Sequence, residues 1–478
     1  MIGMLWTIDD LLAATNGRPI GTLPSGISGL SIDSRTASSG DAFFAIKGDR
    51  FDGHDFASAA IANGASVLVV AEAKLPALGR LQAPMIVVDD VLSALERLAV
   101  ASRARSKAQI VAVTGSVGKT TTKGMLAQML GACGKTHAAV ASFNNHWGVP
   151  LTLARMPADA RYGVFEIGMN HPGEITPLVK MVKPHVSIIT TIAAAHLGNF
   201  ASLDEIAAAK AEIFLGVVPG GHAVLNRDNE KFSLLKEAAE RAGISRIHGF
   251  GESEDADFRL ESVQLEGDRS DITMRVKDDP LSFTIGMPGR HIVQNALAAV
   301  GAVELIGADL ETATAALADF SAGKGRGARH LLSVGDGQIT VIDESYNANP
   351  ASMRAAIDML GHAEVSGDGR RIAVLGDMLE LGRFAPALHA ELAEPLRDAK
   401  VDAVFLAGPE MKNLAEALAG GIACEYRETT AALVPELLKS LRAGDAVMVK
   451  SSLGIGFGAV VSAILDKFPV VHEAGQGD

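Results

Sequence analysis

The stretch TGSVGKTTTK at 114–123 follows the apolar run IVAV at 110–113 and precedes a segment with apolar residues at 125, 126, 129 and 130. That order, buried strand, glycine-rich loop and amphipathic helix, lets successive backbone N–H groups converge on phosphate oxygens while the helix N-terminus adds partial positive charge. Gly115, Ser116, Val117 and Gly118 are the expected loop, Lys119 the mobile cation, Thr120 a hydroxyl suited to Mg²⁺, and Thr121 the next phosphate neighbour. The spacing is a shorter variant of the usual G-x-x-x-x-G-K-[ST] pattern, because Val113 occupies the first glycine position and the glycine falls at 115. A second chemical signal is Glu166, set inside the apolar run VFEIGMN, where an unpaired carboxylate is costly to bury and a metal ion is a fitting partner. His196, after a further strand-like run, and Lys210, in the helical stretch AAAKAEIF, are ordinary packing residues when read singly.

These residues need elements to hold them. Short apolar runs alternate with amphipathic stretches along most of the chain, the mark of βα units and an α/β fold with largely parallel sheets. With 478 residues the chain exceeds one core, since cores stop growing beyond about 250–300 residues. Three domains are expected: a small mixed α/β domain over 1–107, with strands at 43–46, 67–70 and 85–88; a central phosphate-loop domain with a mostly parallel sheet over 108–325; and a Rossmann-like domain over 326–478. The polar, basic segment SRARSKAQ (102–109) is read as the first linker and the glycine-rich SAGKGRGARH (321–330) as a hinge.

Composition sets outer limits. The net charge of −13, from 43 basic and 56 acidic residues, argues against a general nucleic-acid binder. Cys133 and Cys424 form no disulfide framework or zinc motif, which fits a reducing cytoplasm. The first residues lack a signal-peptide pattern, no long apolar window suggests a membrane span, and only the tail EAGQGD is expected to be disordered. A cytoplasmic monomer is the expectation.

The ordered set TGSVGKTTTK, FNNHWGVPLTL, FEIGMN, AAAHLGNF, AKAEIF, GRHIVQNALAA, GKGRGARH and DESYNANP closely resembles the Mur ligase superfamily over nearly the whole chain. Together with SIDSRTASSGDAFFAIKGDRFDGHDF and VLGDMLELG, it resembles the branch that joins D-Ala-D-Ala to a UDP-N-acetylmuramoyl tripeptide. The resemblance implies ATP and Mg²⁺ in a site between the central and third domains. By that likeness Thr120 and Glu166 are metal ligands, His196 lies by a second Mg²⁺, Lys210 is a carbamylated ligand, and Asn295 lies near adenine. Arg326, Asp343, Tyr346 and Asn347 then close over the nucleotide from the third domain, with Asn349 completing the pattern. Ser34, Arg35 and His54 are the implied holders of the UDP end, and Asn144 and Asn145 face the muramoyl peptide. The chain departs from the pattern at 190–192 (TTI) and at 450–458, where the basic residue that usually follows Lys-Gly-Ser is missing. Two alternatives remain open at this point: a sister ligase adding a diamino acid, and a phosphate-loop ATPase acting as a nucleotide switch.

Overall fold

The computed structural model describes residues 3–140, 142–194, 197–321 and 323–471. Its backbone is organised around three main sheets. The first has five strands in the order Arg18–Ile20, Met85–Val88, Val67–Ala71, Asp41–Phe44 and Gly29–Ser31, parallel except for the first pair. The strands expected at 67–70 and 85–88 are in it, and the one expected at 43–46 lies two residues earlier, at Asp41–Phe44. The helix Val91–Arg105 follows, started by Asp90, whose side chain accepts from the Ser93 N–H. Residues 102–105 of the basic segment are its last turn: Arg103 spends its guanidinium on the carbonyls of Val182 and Lys183 at 2.8 and 3.0 Å.

The central sheet has nine strands. Six run parallel, from Thr136–Ala138 at one edge through Tyr162–Glu166, Gln109–Thr114, Val186–Ile189 and His222–Asn226 to Arg246–Gly251. Phe258–Leu265 continues the parallel set, and Ser270–Val276 and Asp279–Ile285 close it as an antiparallel meander. Apolar clusters cover both faces. One packs Met125, Leu126, Met129 and Leu130 of helix Lys119–Cys133 against helix Arg290–Leu305; the other lies under helices Ile175–Val182 and Leu203–Ala211. Burial on both faces explains why the central strands read as continuous apolar runs rather than alternating ones.

A third sheet, in the order Ala328–Val334, Gly337–Glu344, Ala446–Lys450, Arg371–Gly376, Ala403–Ala407 and Ala423–Arg427, is parallel apart from its opening hairpin. Its two apolar clusters draw only on residues 332–468, so this lobe has cores of its own.

The first and central lobes, by contrast, share a core. Leu151 and Ala154 of the central helix Gly148–Ala154 pack with Trp6, Leu30 and Leu98. The Trp6 indole donates to the Ala154 carbonyl at 2.9 Å, the Arg105 guanidinium lies 3.3 Å over the Trp6 ring, and Arg155 donates through Nε to Leu30 O at 2.8 Å.

Candidate active site

The loop Gly115–Gly118 is held by geometry that excludes side chains. Gly115 has φ +150° and a Cβ there would come within 1.9 Å of Thr190 Oγ1; Gly118 has φ +88° and a Cβ would meet Asn295 Oδ1 at 2.2 Å. Both positions lie where L-residues are strained and space is lacking. Ser116 ties the loop to the segment after strand Val186–Ile189, accepting from Ala193 N–H at 3.0 Å while its own N–H donates to Thr191 O at 2.9 Å. Lys119 folds back, its ammonium donating to Gly115 O at 2.7 Å, and burial lowers its pKa from the ordinary lysine value. The amine thus sits against the phosphate loop with Glu166 acting on it through space, a position from which it can meet a polyphosphate.

Glu166 ends its strand at 1% exposure. Thr120 Oγ1 donates to its Oε2 at 2.9 Å and Asn144 Nδ2 to its Oε1 at 2.7 Å. Asn144 therefore belongs to the reacting end, orienting the carboxylate toward the phosphate loop. Lys210 is also fully buried, with no hydrogen-bond partner for Nζ among the described residues; burial, then the charge of Lys119, pushes its pKa well below the usual range. His196 lies outside the described residues, as does the tail expected to be disordered.

The third lobe forms the opposite wall of a cleft of about 490 Å³ that also takes in Asn295 and the phosphate loop. Arg326 reaches across, donating to Ser142 Oγ at 3.1 Å with its guanidinium 4.0 Å over the Tyr346 ring. Tyr346, Asn347 and Asn349 line this wall. Asn349 caps helix Pro350–Gly361 in a reciprocal box with Ser352, which fixes the loop before it. Asp343, expected over the nucleotide, lies behind the wall. Its carboxylate accepts from Gly325 N–H at 3.0 Å and from Ser345 N–H and Oγ at 3.1 and 2.6 Å, so it pins the glycine hinge instead.

The acidic side chain that does face the cleft is Glu344, paired with Lys450 at 3.0 Å; Lys450 also donates to Asn347 O at 2.8 Å. Adjacent strand residues point to opposite faces, so an Asp-Glu pair divides its labour between hinge and cleft. The sequence marked both carboxylates, but the parity needed the register. Lys450, His291 and Asn226 also line the cleft without having been singled out; each lies at a strand or helix terminus, a position legible only once the elements are packed.

Other expected residues are not brought to the cleft. Asn145 caps helix Gly148–Ala154, its Oδ1 accepting from Gly148 N–H at 2.9 Å. His54 is buried in the first lobe with both ring nitrogens used: Nδ1 donates to Asp52 at 2.6 Å and Nε2 accepts from Ala71 N–H at 2.9 Å. It braces the KGDRFDGH turn. Ser34 is buried nearby, and Arg35 is exposed and paired with Asp33 at 2.6 Å. At the TTI departure, Asn229 Nδ2 donates to Thr191 Oγ1 at 3.0 Å and to Ile192 O at 2.9 Å, which ties this segment to the turn after strand His222–Asn226.

A phosphate loop on a nine-stranded sheet, a buried Glu beside it and an arginine delivered by a separate Rossmann-like lobe define a three-lobed ATP-using α/β enzyme whose site is assembled between lobes. Family models agree along the chain: "Mur ligase family, catalytic domain" matches 26–103, "Mur ligase middle domain" 113–303, and "Mur ligase, glutamate ligase domain" 330–453. The chain belongs to the Mur ligase family. It is 34% identical to the UDP-N-acetylmuramoyl-tripeptide--D-alanyl-D-alanine ligase of Escherichia coli K12, over 91% of this chain and 93% of that one. The Bacillus subtilis ligase of the same name is 32% identical over 92% and 93%. Among solved structures, MurF from Acinetobacter baumannii superposes with a TM-score of 0.83 at 31% identity, covering 96% of this chain and 99% of that one.

Proposed function

We infer that this chain is an ATP-dependent amide ligase that joins D-alanyl-D-alanine to the terminal carboxylate of a UDP-N-acetylmuramoyl tripeptide, in peptidoglycan precursor synthesis. The observation that carries the reading is the single cleft in which Lys119, Thr120 and Glu166 face Arg326 of the third lobe, in a chain that aligns nearly end to end with ligases of that name.

The chemistry follows from what a carboxylate lacks. Its oxygen is a poor leaving group, so the γ-phosphoryl of ATP is first moved onto a carboxylate oxygen, breaking the bond to ADP. The dipeptide amine then attacks the acyl carbon, the amine proton leaves, and phosphate departs with the former carboxylate oxygen. Lys119, the N–H groups of Val117 and Gly118 and Arg326 stabilise the spread anionic charge, so the protein's work is positioning and electrostatics. Asn295, which packs against Gly118 of the loop, is assigned to the adenine side, and Tyr346 and Asn347 are assigned to cover the nucleotide from the third lobe. The donor set fits Mg²⁺: Thr120 Oγ1 and Glu166 Oε2 are hard oxygens beside the phosphate loop, and a magnesium ion held by one or two protein oxygens takes the rest from phosphates and water. When bound beside Thr120 and Glu166, such an ion would offset the anionic charge of the phosphates.

Lys210 enters as a reactive amine. With burial and then Lys119 lowering its pKa, the amine adds CO₂ to form a carbamate, an N–C bond made and a proton released, which turns a buried base into an anionic oxygen donor near the reacting end. Lys210→Ala is expected to lose nearly all activity and to regain part of it with short carboxylic acids; full activity without rescue would contradict this role.

The reading assigns 1–107 to the UDP end of the substrate, with Ser34, Arg35 and His54 as its candidate holders, 108–325 to ATP, and 326–478 to ATP and the incoming dipeptide. The enzyme is taken to act in the cytoplasm as a monomer, consistent with the lack of any membrane-crossing helix among the described residues; elution above the one-chain mass would contradict the monomer. The direct test incubates protein, ATP, Mg²⁺ and the nucleotide tripeptide with D-Ala-D-Ala or single diamino acids. A mass gain matching the dipeptide on the nucleotide sugar is expected. Gain with a diamino acid instead would favour the sister ligase, and ATP turnover indifferent to both would favour a switch.

A further inference from the structure

Three loops leave the carboxyl ends of neighbouring third-lobe strands Gly337–Glu344, Ala446–Lys450 and Arg371–Gly376. The chain visits these strands out of spatial order, and the crevice outside such strand ends is where open α/β sheets take ligands. Ser452 zips the three loops together. Its N–H donates to Asp377 O at 3.1 Å, its Oγ accepts from Leu379 N–H at 2.9 Å, and the same hydroxyl donates to Ala348 O at 3.2 Å. Asp377 is buried and accepts from Met411 N–H at 2.9 Å, and His389 Nε2 accepts from Met378 N–H at 2.9 Å, so the rim is held from behind as well.

The rim carries features that packing does not require. Leu379 and Leu453 are 44% and 62% exposed, yet they belong to adjacent loops: a Cβ at Gly454 would lie 3.0 Å from Leu379 Cδ1. The loop bearing Leu379 runs in a strained course, with Glu380 at φ +64° and Gly382 at φ +55°, and it touches the central lobe where Gly198 N–H donates to Glu380 O at 2.8 Å. Ala348, which Ser452 holds, lies between Asn347 and Asn349 of the cleft wall, so this rim adjoins the cleft. Next along the loop, Arg383 is exposed, stacked 4.9 Å from the Phe384 ring, and without a carboxylate partner among the described residues.

Resting on the ligase reading above, we propose that Leu379, Leu453 and Arg383 form the acceptor subsite: the two leucines take the methyl groups of D-Ala-D-Ala and Arg383 takes its carboxylate. The acceptor is a small zwitterion with two methyls. Its amine must reach the acyl carbon, so its carboxylate needs a cation further out. Lys450 is committed to Glu344 and Asn347, and no basic residue follows it before Lys467, so the cation comes from another loop. Arg383 offers the fork geometry that a carboxylate matches.

The test compares D-Ala-D-Ala with its C-terminal amide as acceptors for wild type, Arg383→Gln, Arg383→Lys and Leu453→Ser. Wild type is expected to favour the free acid by about tenfold or more in kcat/KM. Arg383→Gln should bring the ratio near one, chiefly through KM for the dipeptide, leaving KM for ATP and for the tripeptide unchanged; Arg383→Lys should restore part of the preference. Leu453→Ser should weaken acid and amide alike. An undiminished acid preference in Arg383→Gln, or no preference in wild type, overturns the assignment while the ligase reading stands. No dipeptide-dependent turnover by wild type overturns the ligase reading and this inference with it.

Discussion

Glu166 shows how much one buried side chain can be asked to do. At 1% exposure its two oxygens are each given a neutral donor, Thr120 and Asn144, rather than a cation. The carboxylate is therefore oriented by neutral hydrogen bonds, while Lys119 and Lys123 act on it through space. Glu166→Gln keeps the size and can still accept from Thr120, but it removes the charge. We expect kcat to fall by about a hundredfold or more with the fold intact, and the loss to deepen as Mg²⁺ is lowered. Unchanged kcat at saturating and limiting Mg²⁺ would contradict the role. The motif's residue types were legible in the chain because phosphate binding has few solutions. Asp343 and Glu344 were not separable there, since only the strand register shows that one faces the hinge and the other the cleft. His54 misleads for a similar reason: a histidine in a glycine-rich turn looks available until both ring nitrogens are seen to be used.

At the level of elements, the βα alternation predicted the central and third sheets well, because strands buried on both faces leave unbroken apolar runs. The antiparallel meander over 258–285 was not singled out: Ser270–Val276 alternates regularly, but these half-exposed strands carry charged residues and lack the unbroken apolar runs that marked the others. The 102–105 segment misled in the other direction: its basic residues read as linker, yet they cap helix carbonyls and stack on Trp6. One element-level feature has a pH signature. His222 and His248 sit on paired parallel strands with Nδ1 and Nε2 3.0 Å apart. Burial first, then His248, Arg246 and Lys277, hold His222 down to about 4 from its ordinary 6.5. Between those values the unfolded chain takes up a proton that the folded chain refuses, so stability is full above 6.5 and falls as pH drops toward 4. In His222→Gln the unfolding midpoint should depend less steeply on pH across that window; an unaltered slope would show that the pair does not contribute.

For the whole molecule, the distribution of cores predicts which parts move. The first and central lobes share apolar packing and are cross-tied by Trp6, Arg105 and Arg155, whereas the third lobe has separate cores and meets the rest through polar contacts that include Arg326–Ser142, Arg329–Gly267 and Gly198–Glu380. Its entry passes Gly325 and Gly327, at φ +76° and +95°. An acyl phosphate must be kept from water, so the third lobe should close before it forms. Distance measurements between spin labels are expected to show a fixed first-to-central separation and a third-lobe separation that shortens with ATP and tripeptide. A third lobe that keeps its distance, or a first lobe that moves independently, would contradict this division.

The central claim is that the phosphate loop holds ATP so that a carboxylate can be activated. It is tested most directly by labelling the terminal carboxylate of the nucleotide tripeptide with ¹⁸O and following the label through one round of ligation with D-Ala-D-Ala. Activation by phosphoryl transfer predicts that one ¹⁸O leaves in the released phosphate for each amide formed. Amide formation with unlabelled phosphate would contradict the account.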